Sequence, residues 1–384
     1  MTTSDFDIAI CGAGPVGQSL ALLLHQHGMP AARIGLFDAR SAEQAEQDAR
    51  SIALAHGSWQ ILQAAGCLPI AATPIHEIHV SRRGHFGRSL LRASDYHVPA
   101  LGYVARYGDI IAPMQQALAK AGIAVLRPLR LEQLTETAEH VELSLRPDSA
   151  SASTTFRAGV LIQAEGGNFA EQAQRSQRRD YQQTAIIAHI RCSMPLPGRA
   201  FERFTEQGPL ALLPQDDGYA LVWCVRPATA EMLLQKNSAD FLHALQAAFG
   251  ERLGDMLQVS ERVGYPLGLN AQTHVSARTL TIGNAAQALH PVAGQGLNLG
   301  LRDSFILAQC LSRQAAETAL ASFIAARRQD RALTIGLTDT LARVFTVGGD
   351  GSIAQSLLGL GLGALDLIKP GKRLLAEQMI YGWR

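Results

Sequence analysis

The apolar positions near the start of the chain come in two different rhythms. Residues 6–11 (FDIAIC) form a short, nearly continuous apolar run, the pattern of a buried strand. Residues 12–17 break it with three glycines. Residues 16–27 then place apolar side chains at helical spacing, and Gly28 suits the end of that helix. Residues 33–37 predict a second strand, which ends at Asp38. Strand, glycine turn, helix and strand in this order form the unit expected of a parallel sheet.

Further along, residues 41–48 are polar and predict an exposed loop. Residues 52–65 predict a helix. Residues 75–81 and 86–91 predict a hairpin around Arg82-Arg83-Gly84. Residues 109–121 predict a helix despite Pro113, and short strands follow at 123–126, 129–135, 140–145 and 160–163. A β-rich block then interrupts the α/β rhythm, with strands expected at 182–192, 201–205, 210–213 and 219–225. Phe201, Phe204, Leu212, Tyr219 and Trp223 alternate in it, so they are expected to divide between sheet core and pocket lining. Helices are expected at 239–249, 296–312 and 317–328, with a strand at 279–282 and a helical C-terminal region. The fold class is therefore α/β with a β-rich insertion. Its expected parts are a dinucleotide-binding domain made of residues 1–74, 101–180 and 274–330, a hairpin at 75–100, a β-rich domain at 181–273 and a helical region at 331–384.

Composition narrows the function classes. The 384 residues are 47% hydrophobic and 17% charged, with a net charge of +1, so nothing suggests a nucleic-acid binder. Five cysteines, odd in number and without a C-x-x-C pair, fit a reducing compartment better than a disulfide framework or a zinc site. Twelve histidines show no H-x-x-H or H-E-x-x-H spacing, so no metal is expected. No secretory signal is read before the first strand, and the expected location is cytoplasmic. The apolar run at 357–368 is short for a membrane span and contains Asp366. It reads as a packed C-terminal segment or as a peripheral contact with the inner membrane.

The first chemical motif is Gly12-Ala-Gly14-Pro-Val-Gly17, a G-x-G-x-x-G turn between strand and helix. Gly12 permits the tight turn, Gly14 lets the backbone approach a pyrophosphate, and Gly17 lets helix and strand pack closely. Asp38 stands twenty-one residues after Gly17, where a carboxylate would accept hydrogen bonds from an adenosine ribose. This names a dinucleotide site but does not separate NAD from FAD.

A second glycine-rich helix start separates them. It runs from Gly283-Asn284 through His290-Pro291 to Gly294-Gln295-Gly296-Leu297-Asn298 and on to Arg302-Asp303. Free backbone N–H groups at such a start can meet an electron-rich group, which for a flavin is the pyrimidine edge of its ring. The segment resembles the third FAD motif of the aromatic-ring hydroxylases, and more narrowly that of their ubiquinone-biosynthesis branch and its 2-polyprenyl-6-methoxyphenol hydroxylases. The stretches beginning at Asp48-Ala-Arg50-Ser, Gln182-Gln-Thr and Phe201-Glu-Arg-Phe agree with it, so the resemblance spans nearly the whole chain.

The resemblance implies an FAD-dependent monooxygenase that uses NAD(P)H and O2 to hydroxylate the ring of a polyprenylated phenol through a flavin C4a-hydroperoxide. Gly12, Gly14, Gly17 and Asp38 would hold the adenosine side of FAD. Arg50, Arg106, Glu165 and Gly166 would hold the chain and pyrophosphate. Gly283, Asn284, Gly294, Gly296, Leu297 and Asn298 would hold the ribityl chain and ring. His290, Pro291 and Gln295 are expected beside the ring. His290 either polarises or deprotonates the phenol there, or simply fixes the loop.

Two positions depart from the wider family. Asn284 replaces an Asp, as in the ubiquinone branch. Glu165 replaces the Asp of the middle motif. A polyprenyl tail would bring the enzyme to a membrane surface or to a biosynthetic complex. Three alternatives stay open: a different aromatic substrate, an NAD(P)-dependent dehydrogenase without the second glycine turn's role, and an FAD-binding scaffold with weak catalysis.

Overall fold

The computed structural model describes residues 4–83, 88–147, 152–165, 179–269, 275–286, 295–346, 377, 380 and 381. Strand β1 (Phe6–Cys11) is fully buried over its last four residues and pairs in parallel with β2 (Ile34–Phe37) and β11 (Thr154–Gln163). Ile8 faces Ile34 on one side and Val160 on the other. The parallel order continues through β8 (Val125–Leu126) beyond β2 and β18 (Thr279–Thr281) beside the C-terminal half of β11. The other half of β11 turns into an antiparallel extension with β10 (Val141–Arg146) and β9 (Arg130–Glu136). The near-continuous apolar strands follow from this parallel sheet being covered on both faces.

Helix α1 (Pro15–Gln26) covers one face, and its Leu20, Leu23 and Leu24 pack into a core with Ile10, Leu36, Ile162, Leu280 and Leu301. Also in this layer are α4 (Tyr107–Lys120), which carries Pro113 inside it, α7 (Gln295–Arg313) and α8 (Ala316–Thr346). The predicted break after residue 328 is not there. One helix runs from 316 to 346.

The second body of structure is an eight-stranded sheet, mostly antiparallel, whose path runs β16 (Met256–Val259), β12 (Arg179–Cys192), β15 (Gly218–Val225), β14 (Pro209–Gln215), β13 (Arg199–Phe204), β5 (Glu77–Arg82) and β6 (Arg88–Arg92). β17 (Val263–Leu269) also pairs with β12. The β5–β6 hairpin thus belongs to this sheet, joined by the parallel pair β13–β5. One face is sealed by α5 (Pro227–Gln235) and α6 (Ser238–Phe249), where Phe201, Leu212, Tyr219 and Trp223 form a single core with Phe241 and Leu245. Four of the five alternating residues therefore belong to this core, and Phe204, at the end of β13 on the opposite face, is buried as well.

A third, small sheet links the two bodies: β3 (Ser51–Ala55), β7 (Gly102–Arg106) and β4 (Thr73–Ile75). It corrects one expectation. Residues 52–55 are strand, and the helix α3 (His56–Ala64) starts only at His56. Ile52-Ala-Leu-Ala55 has helix-compatible spacing, but pairing with β7 satisfies its backbone and overrides the local pattern. The expected loop at 41–48 contains a short helix, α2 (Ala42–Glu46), closed by a reciprocal Ser41–Gln44 capping box. Among the described residues, no helix is long and apolar enough to cross a membrane. The 357–368 run lies outside them.

Candidate cofactor and active site

The first glycine turn is built by close approach. Gly12 has φ +106°, and a Cβ there would lie 2.6 Å from the carbonyl carbon of Ala164 at the end of β11. A Cβ on Gly17 would run into the carbonyl oxygen of Gly12. Both glycines are demanded by the protein itself. Gly14 is different: its φ is −76°, and a Cβ there would meet only the Tyr107 hydroxyl, 3.1 Å away. Among the described residues nothing else lies within 4 Å of that position. Beside it α1 starts with no side-chain cap and no acid in its first turn, so among the described residues no carboxylate caps its free N–H groups.

Asp38 sits at the end of β2 and is buried. One carboxylate oxygen accepts the Ala13 N–H at 2.7 Å and the other accepts the Arg40 N–H at 2.7 Å. A carboxylate has about four acceptor positions, so hydroxyls can still be added. Asp38 thus shapes the glycine turn and keeps acceptor capacity for further hydrogen bonds. Cys11 lies beneath the turn, its thiol pushed well up by burial, with the charges of Glu165 and Asp38 adding to the effect. It is no nucleophile.

Next to Gly14 stands a cluster that the sequence did not announce. Arg40 donates to the Tyr107 hydroxyl at 3.0 Å, and both Arg40 and Arg50 lie over the Tyr107 ring, at 5.5 and 5.2 Å. Arg50 grips Asp48 through Nε at 2.8 Å and Nη2 at 2.5 Å. Burial would raise the Asp48 carboxyl, but the hydrogen bonds and charge of Arg50 outweigh it and hold it below the usual range. The result is two partly accessible guanidinium groups beside an open glycine backbone, which suits a pyrophosphate. Arg50 was expected here. Arg40 and Tyr107 were missed, because neither carries a spacing signal and they meet only through the fold.

The second glycine-rich start is brought to the first. A Cβ on Gly283 would lie 3.3 Å from Val16 Cγ2, and one on Gly300 would lie 2.7 Å from the same methyl. Residues separated by some 270 positions thus meet at the start of α1. The Asn284 amide oxygen would be 3.5 Å from a Cβ on Gly296, so Asn284 lies over the first turn of α7. Leu297 is half-buried and packs against the main core. Asn298 is buried and clamps β3, accepting the Ala55 N–H at 2.8 Å and donating to the Ala53 carbonyl at 3.0 Å. Gly283 N–H donates to Asp303 Oδ2 at 3.3 Å, and Asp303 accepts Arg327 Nε at 2.8 Å. Arg327 and Arg302 both reach Asp330, at 2.5 and 3.0 Å. This network is sealed between α7 and α8.

Arg106 is turned elsewhere. Its Nη2 reaches Asp216 at 2.5 Å, at the tip of the β14–β15 hairpin, and Ser51 donates to Gln215 at 2.8 Å. Arg106 ties the large sheet to the small one and does not join Arg40 and Arg50. Glu165, at the end of β11, lines a cleft with Gln163, Thr281 and Ala285. Gly166, His290, Pro291 and Gly294 lie outside the described residues. Gln295 opens α7, and only its backbone is described. The open backbone at Gly14, the uncapped α1, the flanking guanidinium groups and the second helix start together fit FAD.

These features define a flavin-binding oxidoreductase. Residues 5–336 match the model of the FAD binding domain family. The ubiquinone hydroxylase UbiL of Rhodospirillum rubrum is 30% identical over 398 residues, 96% of this chain and 88% of that protein. The 3-demethoxyubiquinol 3-hydroxylase of Escherichia coli K12 is 29% identical over 319 residues, 79% of this chain and 78% of that protein. The solved structure of p-nitrophenol 4-monooxygenase PnpA from Pseudomonas putida DLL-E4 shares the fold, with a TM-score of 0.76 over 99% of both chains at 16% identity. The chain belongs to the FAD-dependent monooxygenases of the ubiquinone-biosynthesis hydroxylase family.

Proposed function

We propose that this enzyme uses NAD(P)H and O2 to hydroxylate a ring carbon of a polyprenylated phenol on the route to ubiquinone. The observation that carries the reading is the meeting of two glycine-rich helix starts at Val16, one beside an open, guanidinium-flanked backbone and the other beside Asn284. A cofactor with a diphosphate at one end and a ring system at the other spans such a pair. The similarity to hydroxylases of the ubiquinone pathway along nearly the whole chain supports the substrate class.

Bound FAD would supply the oxygen-activating redox chemistry. The residues of this chain would bind, orient and exclude water. Gly14, the start of α1, Arg40 and Arg50 would hold the diphosphate, and Asp38 the adenosine ribose. Asn284, Gly296 and their flanking backbone would hold the ribityl chain and ring, together with Gly166 and Gly294. His290, Pro291 and Gln295 are proposed to stand beside the ring. The substrate would enter between the small sheet and the open face of the large one, with its tail reaching a membrane surface or a delivering partner protein.

The purified protein should be yellow, and NAD(P)H oxidation should rise when a prenylated methoxyphenol is added. One atom of 18O2 should appear in the product, which gains a hydroxyl. A flavoprotein that consumes NAD(P)H at the same rate with and without any phenol would sink the reading.

A further inference from the structure

The two faces of the large sheet are unlike each other. The face under α5 and α6 is closed by aromatic and aliphatic side chains. On the opposite face, Ala200 and Leu213 pack with Ile75 and Val104 of the small sheet, so this face looks toward the FAD-binding body. The next row outward runs across five strands by register: Val80 on β5, Glu202 on β13, Ala211 on β14, Val222 on β15 and Ile187 on β12. Every member of that row is half-buried, while Ala200, Ala220 and Cys224 on either side of it are sealed. The row lies half-buried on the face that looks toward the FAD-binding body, and it is apolar except for one carboxyl.

Glu202 makes no hydrogen bond or ion pair among the described residues. Desolvation alone acts on it and pushes its carboxyl up to about 7. A carboxyl on an ordinary wet surface would keep its usual value, and one sealed in a core would not be half-accessible. Register and burial place Glu202 half-accessible on the face that looks toward the FAD-binding body. Its charge is felt by Cys224 on β15, whose thiol is raised by burial and further by Glu202. The other ionisable groups that share the face by register are Arg82 on β5, which interacts with Glu206, His189 on β12, whose Nε2 lies 3.2 Å from the Gln215 carbonyl, Arg191 on β12, which pairs with Asp217, and Tyr265 on β17. β14 contributes none, and Arg331 of α8 interacts with Asp303.

We infer that Glu202 is the base that takes the phenolic proton of the ring substrate; this rests on the ring-hydroxylation reading above. The phenol O–H bond breaks, its proton forms an O–H bond on the Glu202 carboxylate, and the electron pair stays on oxygen as a phenolate. No electron enters or leaves in this step. The phenolate enriches the ring at its ortho and para carbons, where electrophilic oxygen attacks. A phenol ionises near ~10, as tyrosine does, so a base at an ordinary carboxylate value would be poorly matched to it. The raised value brings donor and acceptor closer together. The sequence offered His290 either for this role or as a residue that fixes its loop, and His290 lies outside the described residues.

The test uses the holoenzyme and 2-methoxyphenol carrying a short prenyl chain at the 6-position. Wild-type kcat/KM for hydroxylation should rise through pH 7, because the base form is the active one. E202Q should lower kcat by about 100-fold or more. It should also move the pH rise toward the ionisation of the phenol itself, and E202D should restore part of both. Should E202Q prove unstable, E202D gives an independent readout: it should lower kcat and displace the midpoint of the pH rise from its wild-type position. E202Q hydroxylating at the wild-type rate with the wild-type pH profile, or E202D keeping both the wild-type kcat and the wild-type midpoint, would overturn the role of Glu202. A wild type that hydroxylates no phenol would overturn the ring-hydroxylation reading and this inference together.

Discussion

Each of the two glycine turns is served by its own cluster of carboxylates and guanidinium groups, and the clusters differ in one property. Beside Gly14, the side chains of Arg40 and Arg50 are 39% and 24% exposed, and Asp48 is 13% exposed. Behind Gly283, Arg302 is 8% exposed and Arg327, Asp330 and Asp303 are 4%, 2% and 0%. The chemistry is the same in kind, yet the open cluster can still take an incoming anion, whereas the sealed one already holds its charges in internal pairs. Accessibility separates binding from scaffolding here. A charge network that a ligand can enter should register in cofactor affinity, and one it cannot enter should register in stability.

The largest expected effect lies in the sealed cluster. Asp303→Ala leaves Arg327 with half its partners and frees the Gly283 N–H inside the protein. Removing one member of a buried pair costs about 3–5 kcal/mol, mostly because of the charge left behind. Urea unfolding should show that loss, and a change below about 1 kcal/mol would mean that the network is not the scaffold described here.

Next comes Gly14→Val, which tests the open side. Its side chain would press on the hydroxyl at the tip of the Tyr107 side chain and fill the space above the turn. FAD retention should fall by at least about 100-fold, roughly 3 kcal/mol, while the apoprotein melts within a few degrees of wild type. Gly12→Ala should behave oppositely and destabilise the apoprotein itself, since both its φ and its contact with Ala164 forbid a side chain. Equal flavin content in Gly14→Val and wild type would remove the diphosphate from this turn.

The contrast also marks what could be read from the chain beforehand. Gly12, Gly14, Gly17 and Asp38 were legible because their chemistry is local: the turn, helix start and strand end lie within one short unit. Most strands of the two larger sheets were legible from apolar runs, but β16 and β17 of the eight-stranded sheet were not. Arg40 and Tyr107 were not, because they meet across 67 residues. The strand at 51–55 was hidden because pairing with β7 decides it, and the pairing of Arg106 with Asp216 was hidden because nothing in its neighbourhood reveals Asp216. Glu202 appeared only as one letter in a family stretch. Its significance depends on a row drawn across five strands.

Within the open cluster, Arg50→Ala should weaken FAD binding by about 10-fold, roughly 1.4 kcal/mol, with little change in unfolding free energy. Because the group is partly solvated, the effect should shrink as salt is raised. A loss of stability as large as that of Asp303→Ala would erase the distinction between the clusters.

The smallest effect is expected at Asn284. Its amide oxygen lies over the first turn of α7, next to the Gly296 backbone, and it acts there as an acceptor. Asn284→Asp keeps an acceptor at the same place and adds a negative charge near a helix start, where the dipole favours one. FAD affinity should change by less than about 3-fold, which is under roughly 0.7 kcal/mol. Asn284→Leu has nearly the same bulk but no acceptor and should lose about 10-fold or more, the scale of an unmade hydrogen bond. Titration of the apoprotein with FAD, followed by flavin fluorescence, distinguishes the two. If the leucine variant binds as tightly as the aspartate variant, the contact at position 284 is one of shape, and the ring end of the site takes its specificity from the backbone of the two glycine turns.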